Sequence, residues 1–335
     1  MQKEEPRPGQ TIPARIVRQE RDYLTARTGD TEYLCAVVGR FRLEAAEVET
    51  RFPVIGDRVQ ITPQNERQAV ITEILPRTTS LIRRKAGKTT EMQVLAANID
   101  LALVVHALDG GRNFNLRRME RFLALTSSNG IPSILLLNKC DLCEQPENSI
   151  REATALFPST PVQRISAKTG EGLPELRERL RLADTAILLG ASGVGKSALI
   201  NALLEQDVQR VNAAREKDKR GRHTTTNRQM FQLPDGPWII DTPGIREIQT
   251  WVSLENSGAF ADLEELAQSC RFRDCRHENE PGCAVLDALA AGTLAPKHHQ
   301  NYIDMRRQQD ALAKSRLESS RLAIKRSWKQ RKYEP

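Results

Sequence analysis

No apolar run in this chain is long enough to cross a bilayer. The longest strongly apolar stretches, LALVV at 101–105 and ILLL at 134–137, fall far short of the roughly 20 residues a spanning helix needs. The N-terminal MQKEEPRPGQTIPARIV also lacks the apolar core of a secretory signal, so an unprocessed, soluble, cytoplasmic protein with no membrane partner is expected. Aromatic residues are scarce, at 4% of 335, which leaves Tyr23, Tyr33, Phe41 and Phe52 as the few N-terminal candidates for stacking on nucleobases. There is no internal repeat and no long low-complexity tract. The length implies two or three domains, and the six cysteines of a cytosolic chain read as thiols or metal ligands before disulfides.

What is abundant is positive charge. The net charge is +7, and between residues 306 and 332 ten Lys or Arg face only Asp310 and Glu318. Such a tail attracts a polyanion, RNA being the commonest in the cytosol, or it is a solvated segment that aids solubility.

Residues 11–76 read as five short strands: TIPARIV, DYLTA, EYLCAVVG, VIGDRVQIT and AVITEIL, with turn signals at Gly29-Asp30 and Gly56-Asp57. Five strands of this kind predict an OB-fold barrel that contacts RNA or serves as a docking module. A basic connector, RTTSLIRRKAGKTTEMQ, follows. Strands then alternate with helices: LALVVHAL, a helix from Asn115, SILLLNK, a helix over 146–156, PVQRISA, PELRERL and TAILLG. That alternation predicts a mainly parallel sheet covered on both faces. After Thr250 the chain turns helical and cysteine-bearing. The expected division is 1–80 for the barrel, 81–250 for the α/β domain and 251–335 for a helical module with the basic tail.

GASGVGKS, from Gly190 through Ala191, Ser192, Gly193, Val194 and Gly195 to Lys196 and Ser197, follows an apolar strand and opens the helix that continues at Ala198. In that context the glycines let backbone N–H groups converge on phosphates. Lys196 reaches the β and γ phosphates, and Ser197 ligates Mg²⁺. NKCD, at Asn138, Lys139, Cys140 and Asp141, supplies the base reader. A carboxylate at Asp141 accepts from the ring N1–H and exocyclic amine of guanine, whereas adenine has no N1–H. Asn138 bridges the base edge and the phosphate loop, the Lys139 stem covers the purine, and SAK at Ser166, Ala167 and Lys168 offers the Ala167 N–H to guanine O6. Cys140 and Cys143 also spell C-x-x-C, but Cys140 fills the variable slot of the base motif, and both read as incidental thiols.

DTPG ends the strand PWII, with Asp241 expected to contact Mg²⁺ through water and the Gly244 N–H to sense the γ phosphate. A polar segment before it, REKDKRGRHTTTN, reads as a nucleotide-responsive loop in which Thr225, or next Thr224, coordinates Mg²⁺. The glutamine that positions water in Ras-like enzymes is absent; Ile245 stands there, and His223 is the best candidate for the catalytic role. Downstream, Cys270, Cys275, His277 and Cys283 form C-x4-C-x-H-x5-C, which suits a closed, structural Zn²⁺ site. His298 and His299 read as helix surface.

In this combination and order, NKCD, SAK, GASGVGKS, GRHTTT, DTPG and the Cys/His cluster, the chain resembles the bacterial small-subunit-dependent GTPase family RsgA, also called YjeQ. The resemblance covers nearly the whole chain. It implies an OB-fold, a circularly permuted P-loop GTPase domain and a zinc module. It also implies a GTP hydrolase that binds the small (30S) ribosomal subunit and its 16S rRNA, assists late maturation and turns over faster when bound, with His223 as catalytic histidine and Ile245 as the family's hydrophobic substitution. A monomer is expected. The competing readings are a GTP-gated RNA clamp in which hydrolysis is a slow timer, and a GTPase acting on another RNA–protein complex.

Overall fold

The computed structural model describes residues 10–20, 23–39, 41, 52–84, 92–109, 115–206, 228–234, 236–242, 260–307 and 310. Five strands open the chain: β1 (Ile12–Gln19), β2 (Leu24–Thr28), β3 (Thr31–Val37), β4 (Arg58–Pro63) and β5 (Gln68–Ile74). They are ordered β1-β2-β3-β5-β4, and β4 returns to β1, which closes the barrel. Only the β3–β5 pair is parallel among these neighbours. Alternation along the strands sends Ile16, Ala26, Tyr33, Cys35, Val59, Ile61 and Ile71 into one core. The expected strand VIGDRVQIT is only half strand, because residues 54–57 turn instead. Gly56, at φ +87°, sits where a Cβ would lie 2.2 Å from the Ala97 carbonyl oxygen, so only glycine lets the barrel approach so closely.

The connector is not a plain linker. It forms a hairpin of β6 (Ser80–Arg84) and β7 (Met92–Ala97). Leu81 and Leu95 are fully buried in the core of the next domain, so the basic residues mask an apolar anchor.

Then come β8 (Leu101–Ala107), α1 (Leu116–Ser128), β9 (Ser133–Asn138), α2 (Pro146–Leu156), β10 (Val162–Arg164), α3 (Leu173–Leu180), β11 (Thr185–Leu189), α4 (Lys196–Leu204), β12 (Arg228–Gln232) and β13 (Trp238–Asp241). The Asn115 side chain caps α1 by accepting from the Arg118 N–H at 3.1 Å. Pro146 pre-sets the first turn of α2. Strands β10-β9-β8-β11-β13 run parallel, with β12 antiparallel at the edge. Both faces of this sheet are apolar at a strict period of two. Ala102, Val104, Leu135, Leu137, Ile187 and Leu189 pack under α1 and α2, whereas Leu103, Val105, Ile134, Leu136, Ala186 and Leu188 pack under α3 and α4. Each such Leu or Ile contributes about 1.5–3 kcal/mol by burial.

β12 also pairs antiparallel with β1, at Arg18↔Gln229 and Gln19↔Arg228, so barrel and domain share one 11-stranded sheet. Arg15 donates to Asp184 at 3.1 Å and to the Thr185 hydroxyl, and its guanidinium, with that of Arg27, lies over Trp238.

The C-terminal module has α5 (Ala261–Gln268), α6 (Ala284–Ala290) and a helix α7 over 296–307. Its core of Phe260, Leu263, Val285, Leu294, Tyr302, Ile303 and Met305 includes Ala124 of α1, so the module is seated on the α/β domain. The expectation that His298 lies on the helix surface is wrong. It is 2% exposed, with Nδ1 2.7 Å from Glu120 Oε1 of α1 and Nε2 3.1 Å from Asp262 Oδ1. His299 is half-buried and donates from Nε2 to the His277 carbonyl at 2.8 Å. Among the described residues, no helix is long and apolar enough to cross a membrane.

Candidate functional site

The C-terminal ends of β8, β9 and β11 meet at one edge of the parallel sheet, where such folds bind ligands. β11 ends at Leu189 and the chain turns through 190–195 into α4. Gly190 lies where a Cβ would be 2.4 Å from the Val105 carbonyl oxygen, and Gly193 and Gly195 have φ of +86° and +96°. These are conformations that glycine adopts without strain. Val194 is buried and pins the loop, while Ala191 is half-buried and Ser192, Ser197 and Ala198 face outward. Lys196 Nζ donates to the carbonyls of Gly190 and Ala191 at 2.7 and 2.9 Å. Burial lowers its pKa, and the nearby Asp241 carboxylate opposes that shift.

Asn138, the last residue of β9 and 1% exposed, joins the two halves of the site. Its Nδ2 donates to the Val194 carbonyl at 2.9 Å, 56 residues away, and its Oδ1 accepts from the Ala167 N–H at 3.0 Å. The amide therefore ties the phosphate loop to the SAK turn. The N–H expected for guanine O6 is engaged by Asn138 here. Lys139 adopts φ +63°, which turns the chain into the 3-10 turn Cys140–Leu142. Asp141 accepts from the Ser166 hydroxyl at 2.6 Å. Ser166 also accepts from the Thr169 N–H at 3.1 Å, which leaves Lys168 exposed at the tip of the turn. Cys140 is buried, and that burial pushes its thiol up to about 11, as suits an unreactive side chain.

Asp241 ends β13, parallel to and beside β11, and is 7% exposed. Thr242 follows with its hydroxyl donating to the Leu188 carbonyl at 2.6 Å, which fixes the strand end beside the phosphate loop. His223, Thr224, Thr225, Gly244 and Ile245 lie outside the described residues.

Cys270, Cys275, His277 and Cys283 offer four ligand atoms within 4.8 Å of one another, the one such metal-ligand cluster among the described residues. The Cys270 and Cys283 sulfurs are 3.8 Å apart, and His277 Nδ1 lies 3.5 and 3.3 Å from them. Corners of a zinc tetrahedron, with Zn–S of about 2.3 Å and Zn–N of about 2.0 Å, are separated by about 3.5–3.8 Å, so the donor set and its spacing fit that ion. Burial pushes the Cys283 thiol up to about 12, so a cation is needed to make it a thiolate. Outer contacts hold the loop: Arg306 donates to the Cys275 carbonyl at 2.7 Å, and His299 fixes His277 from behind.

The RsgA GTPase family model matches residues 74–251. The small ribosomal subunit biogenesis GTPase RsgA 2 of Lactiplantibacillus plantarum is 38% identical over 297 residues, covering 89% of this chain and 83% of that protein. The small ribosomal subunit biogenesis GTPase RsgA of Methanosarcina acetivorans is 43% identical, over 75% of this chain and 68% of that protein. The chain belongs to the RsgA GTPase family. The crystal structure of YjeQ from Thermotoga maritima agrees in fold, with a TM-score of 0.64 and 27% identity over 90% of this chain and 99% of that one. A member of the RsgA family is a GTP hydrolase, and the permuted motif order, base reader before phosphate loop, is that of a circularly permuted GTPase.

Two elements of the site region escape the sequence motifs. Asp109, just past β8, holds Lys139 Nζ at 2.8 Å. A single aspartate after a strand carries no signal. The Glu120–His298–Asp262 cluster is the other, and it had one: in LRRMERFLALTSS, Glu120 falls on the apolar stripe with Leu116, Met119 and Leu123.

Proposed function

We propose that this chain binds GTP across the phosphate loop and the NKCD strand, and hydrolyses it on the small ribosomal subunit during that particle's late maturation. The observation that carries the nucleotide part is Asn138, whose buried amide joins the phosphate loop to the SAK turn while Ser166 orients Asp141. The names of the relatives carry the ribosomal part.

In this reading Lys196 leaves the loop carbonyls for the β and γ phosphates, and the N–H groups of Gly193 to Ala198 surround the phosphate oxygens. Asp141 accepts from guanine N1–H and N2, and Ala167 shares its N–H between Asn138 and O6. Ser197, Thr225 or Thr224, and through water Asp241, would hold Mg²⁺, which neutralises charge on the phosphates. Water attacks the γ phosphorus as its bond to the GDP oxygen breaks, and His223 orients that water in place of the glutamine whose position Ile245 takes. Cys270, Cys275, His277 and Cys283 hold a structural Zn²⁺. The barrel to about residue 80 and the module after about 250 contact 16S rRNA, with the basic tail adding charge. The protein acts in the cytoplasm as a monomer.

The test is steady-state GTP hydrolysis by the zinc-loaded protein, alone and with purified 30S subunits, at two salt concentrations. Stimulation of at least about tenfold, equivalent to roughly 1.4 kcal/mol of barrier, that weakens with salt is expected. No stimulation overturns the ribosomal reading.

A further inference from the structure

β8 and β9 are adjacent parallel strands, paired from Ala102↔Ser133 to Ala107↔Asn138. The residues just beyond them therefore emerge side by side at the ligand edge of the sheet, and these are Asp109 and Lys139. Lys139 is held at both ends of its side chain. Its backbone is set by the left-handed turn at φ +63°, and its ammonium lies 2.8 Å from Asp109 Oδ2. Between these ends the stem passes the phosphate loop: Lys139 Cε lies 3.9 Å from where a Cβ on Gly195 would sit. Both partners are mostly sheltered, with side chains 29% and 15% exposed. A lysine stem free in solvent samples many rotamers, and fixing it costs entropy when a ligand demands one of them.

We propose that Asp109 is a positioning residue for guanine-nucleotide binding. By holding the Lys139 ammonium it lays the lysine stem along the phosphate loop before the nucleotide arrives, so the purine face meets a preorganised apolar surface. The inference rests on the proposed nucleotide site. It concerns the face of the base, not its edge. Asp141 reads the edge and Asp109 never touches the ligand, so losing Asp109 weakens all purine nucleotides stacked at that surface by one factor.

Calorimetric titration of GDP and of IDP, with Mg²⁺ present, into the zinc-loaded full chain tests this. IDP lacks the exocyclic amine that Asp141 reads. Asp109→Ala is expected to weaken GDP and IDP alike by about fivefold, leaving their affinity ratio at the wild-type value, and the double variant with Lys139→Ala is expected to bind no worse than Lys139→Ala alone. Asp109→Glu should recover part of the loss, since it can still hold the ammonium. Three results would overturn the inference while leaving the nucleotide site standing: unchanged GDP affinity in Asp109→Ala, losses that multiply in the double variant, or a GDP-to-IDP ratio that collapses, as a merely loosened NKCD turn would cause. A wild-type protein that binds no guanine nucleotide would overturn both.

Discussion

The Glu120→Gln substitution should loosen the seat of the C-terminal module by an amount that depends on pH in a predictable direction. His298 presents both ring nitrogens to carboxylates, Nδ1 to Glu120 and Nε2 to Asp262, so both must carry protons, and the ring is an imidazolium. Phe260 stacks on it with centroids 5.1 Å apart, and the Asn301 amide donates to the second oxygen of Glu120. Burial alone would lower the His298 pKa, but hydrogen bonds and charge from Asp262 and Glu120 outweigh it and hold the group up to about 9, from 6.5. At ~1.36 kcal/mol per unit the full shift corresponds to about 3 kcal/mol. Asp262 is 54% exposed and its share is screened by solvent, so Glu120, at 1%, supplies most of what is realised, on the order of 2 kcal/mol. A raised folded-state pKa contributes stability that is complete below about 6.5, declines as pH rises, and is gone above about 9. Urea unfolding of the zinc-loaded wild type and Glu120→Gln at pH 6, 7.5 and 9.5 should show a gap that is widest at pH 6 and closes by pH 9.5. A gap that is constant across this range would refute the imidazolium, and a gap that widens with pH would reverse the assignment of charge.

Two further outcomes follow from the site. Lys196→Ala should lower GTP turnover by at least about 100-fold and weaken nucleotide binding, because in the proposed complex the half-buried Lys196 ammonium moves from the loop carbonyls to the phosphates; full turnover in a steady-state assay would refute the phosphate-site assignment. Removing zinc with excess chelator should expose the amides of α5 and α6 to hydrogen exchange before those of β8, β9 and β11; equal loss across the chain would mean the cluster does not staple the module.

The parts of the fold that are legible in the sequence are those where local pattern and burial agree. The strands β8, β9 and β11 are continuous apolar runs because both their faces are covered, and GASGVGKS could be placed because a strand precedes it and a helix follows. The β6–β7 hairpin was hidden because its buried residues, Leu81 and Leu95 among them, flank a sequence whose Arg83, Arg84, Lys85 and Lys88 dominate the composition. His298 was hidden for a related reason. It occupies the core stripe of α7 with Asn301, Tyr302 and Met305, at the i, i+3, i+4, i+7 positions, so the periodicity was present but two of the four positions are polar. A buried polar residue is intelligible only with its partner, and Glu120 lies 178 positions earlier. Asp109 is likewise meaningful only through Lys139, across a strand pair.

These long-range pairs also explain what the permuted order leaves intact. Asn138 reaches Val194 in space whichever of the two comes first in the chain, since β9 and β11 both flank β8 and their C-terminal ends are fixed by parallel pairing. The order of the strands along the chain instead decides where the neighbouring domains attach. The barrel joins at the β12 edge of the sheet, through β1 and the Arg15–Asp184 contact. The C-terminal module sits on α1, which packs against β8 and β9 on the other side of β11. The phosphate loop and Asp241 lie between these two attachments. Among the described residues, a displacement of β13 relative to β11 would therefore reach the barrel through two strand pairings, β13–β12 and β12–β1, and the module by way of β11, β8 and the helix above it. Both steps of the barrel route are backbone ladders, so among the described residues the barrel is the domain coupled most directly to the strand that carries Asp241.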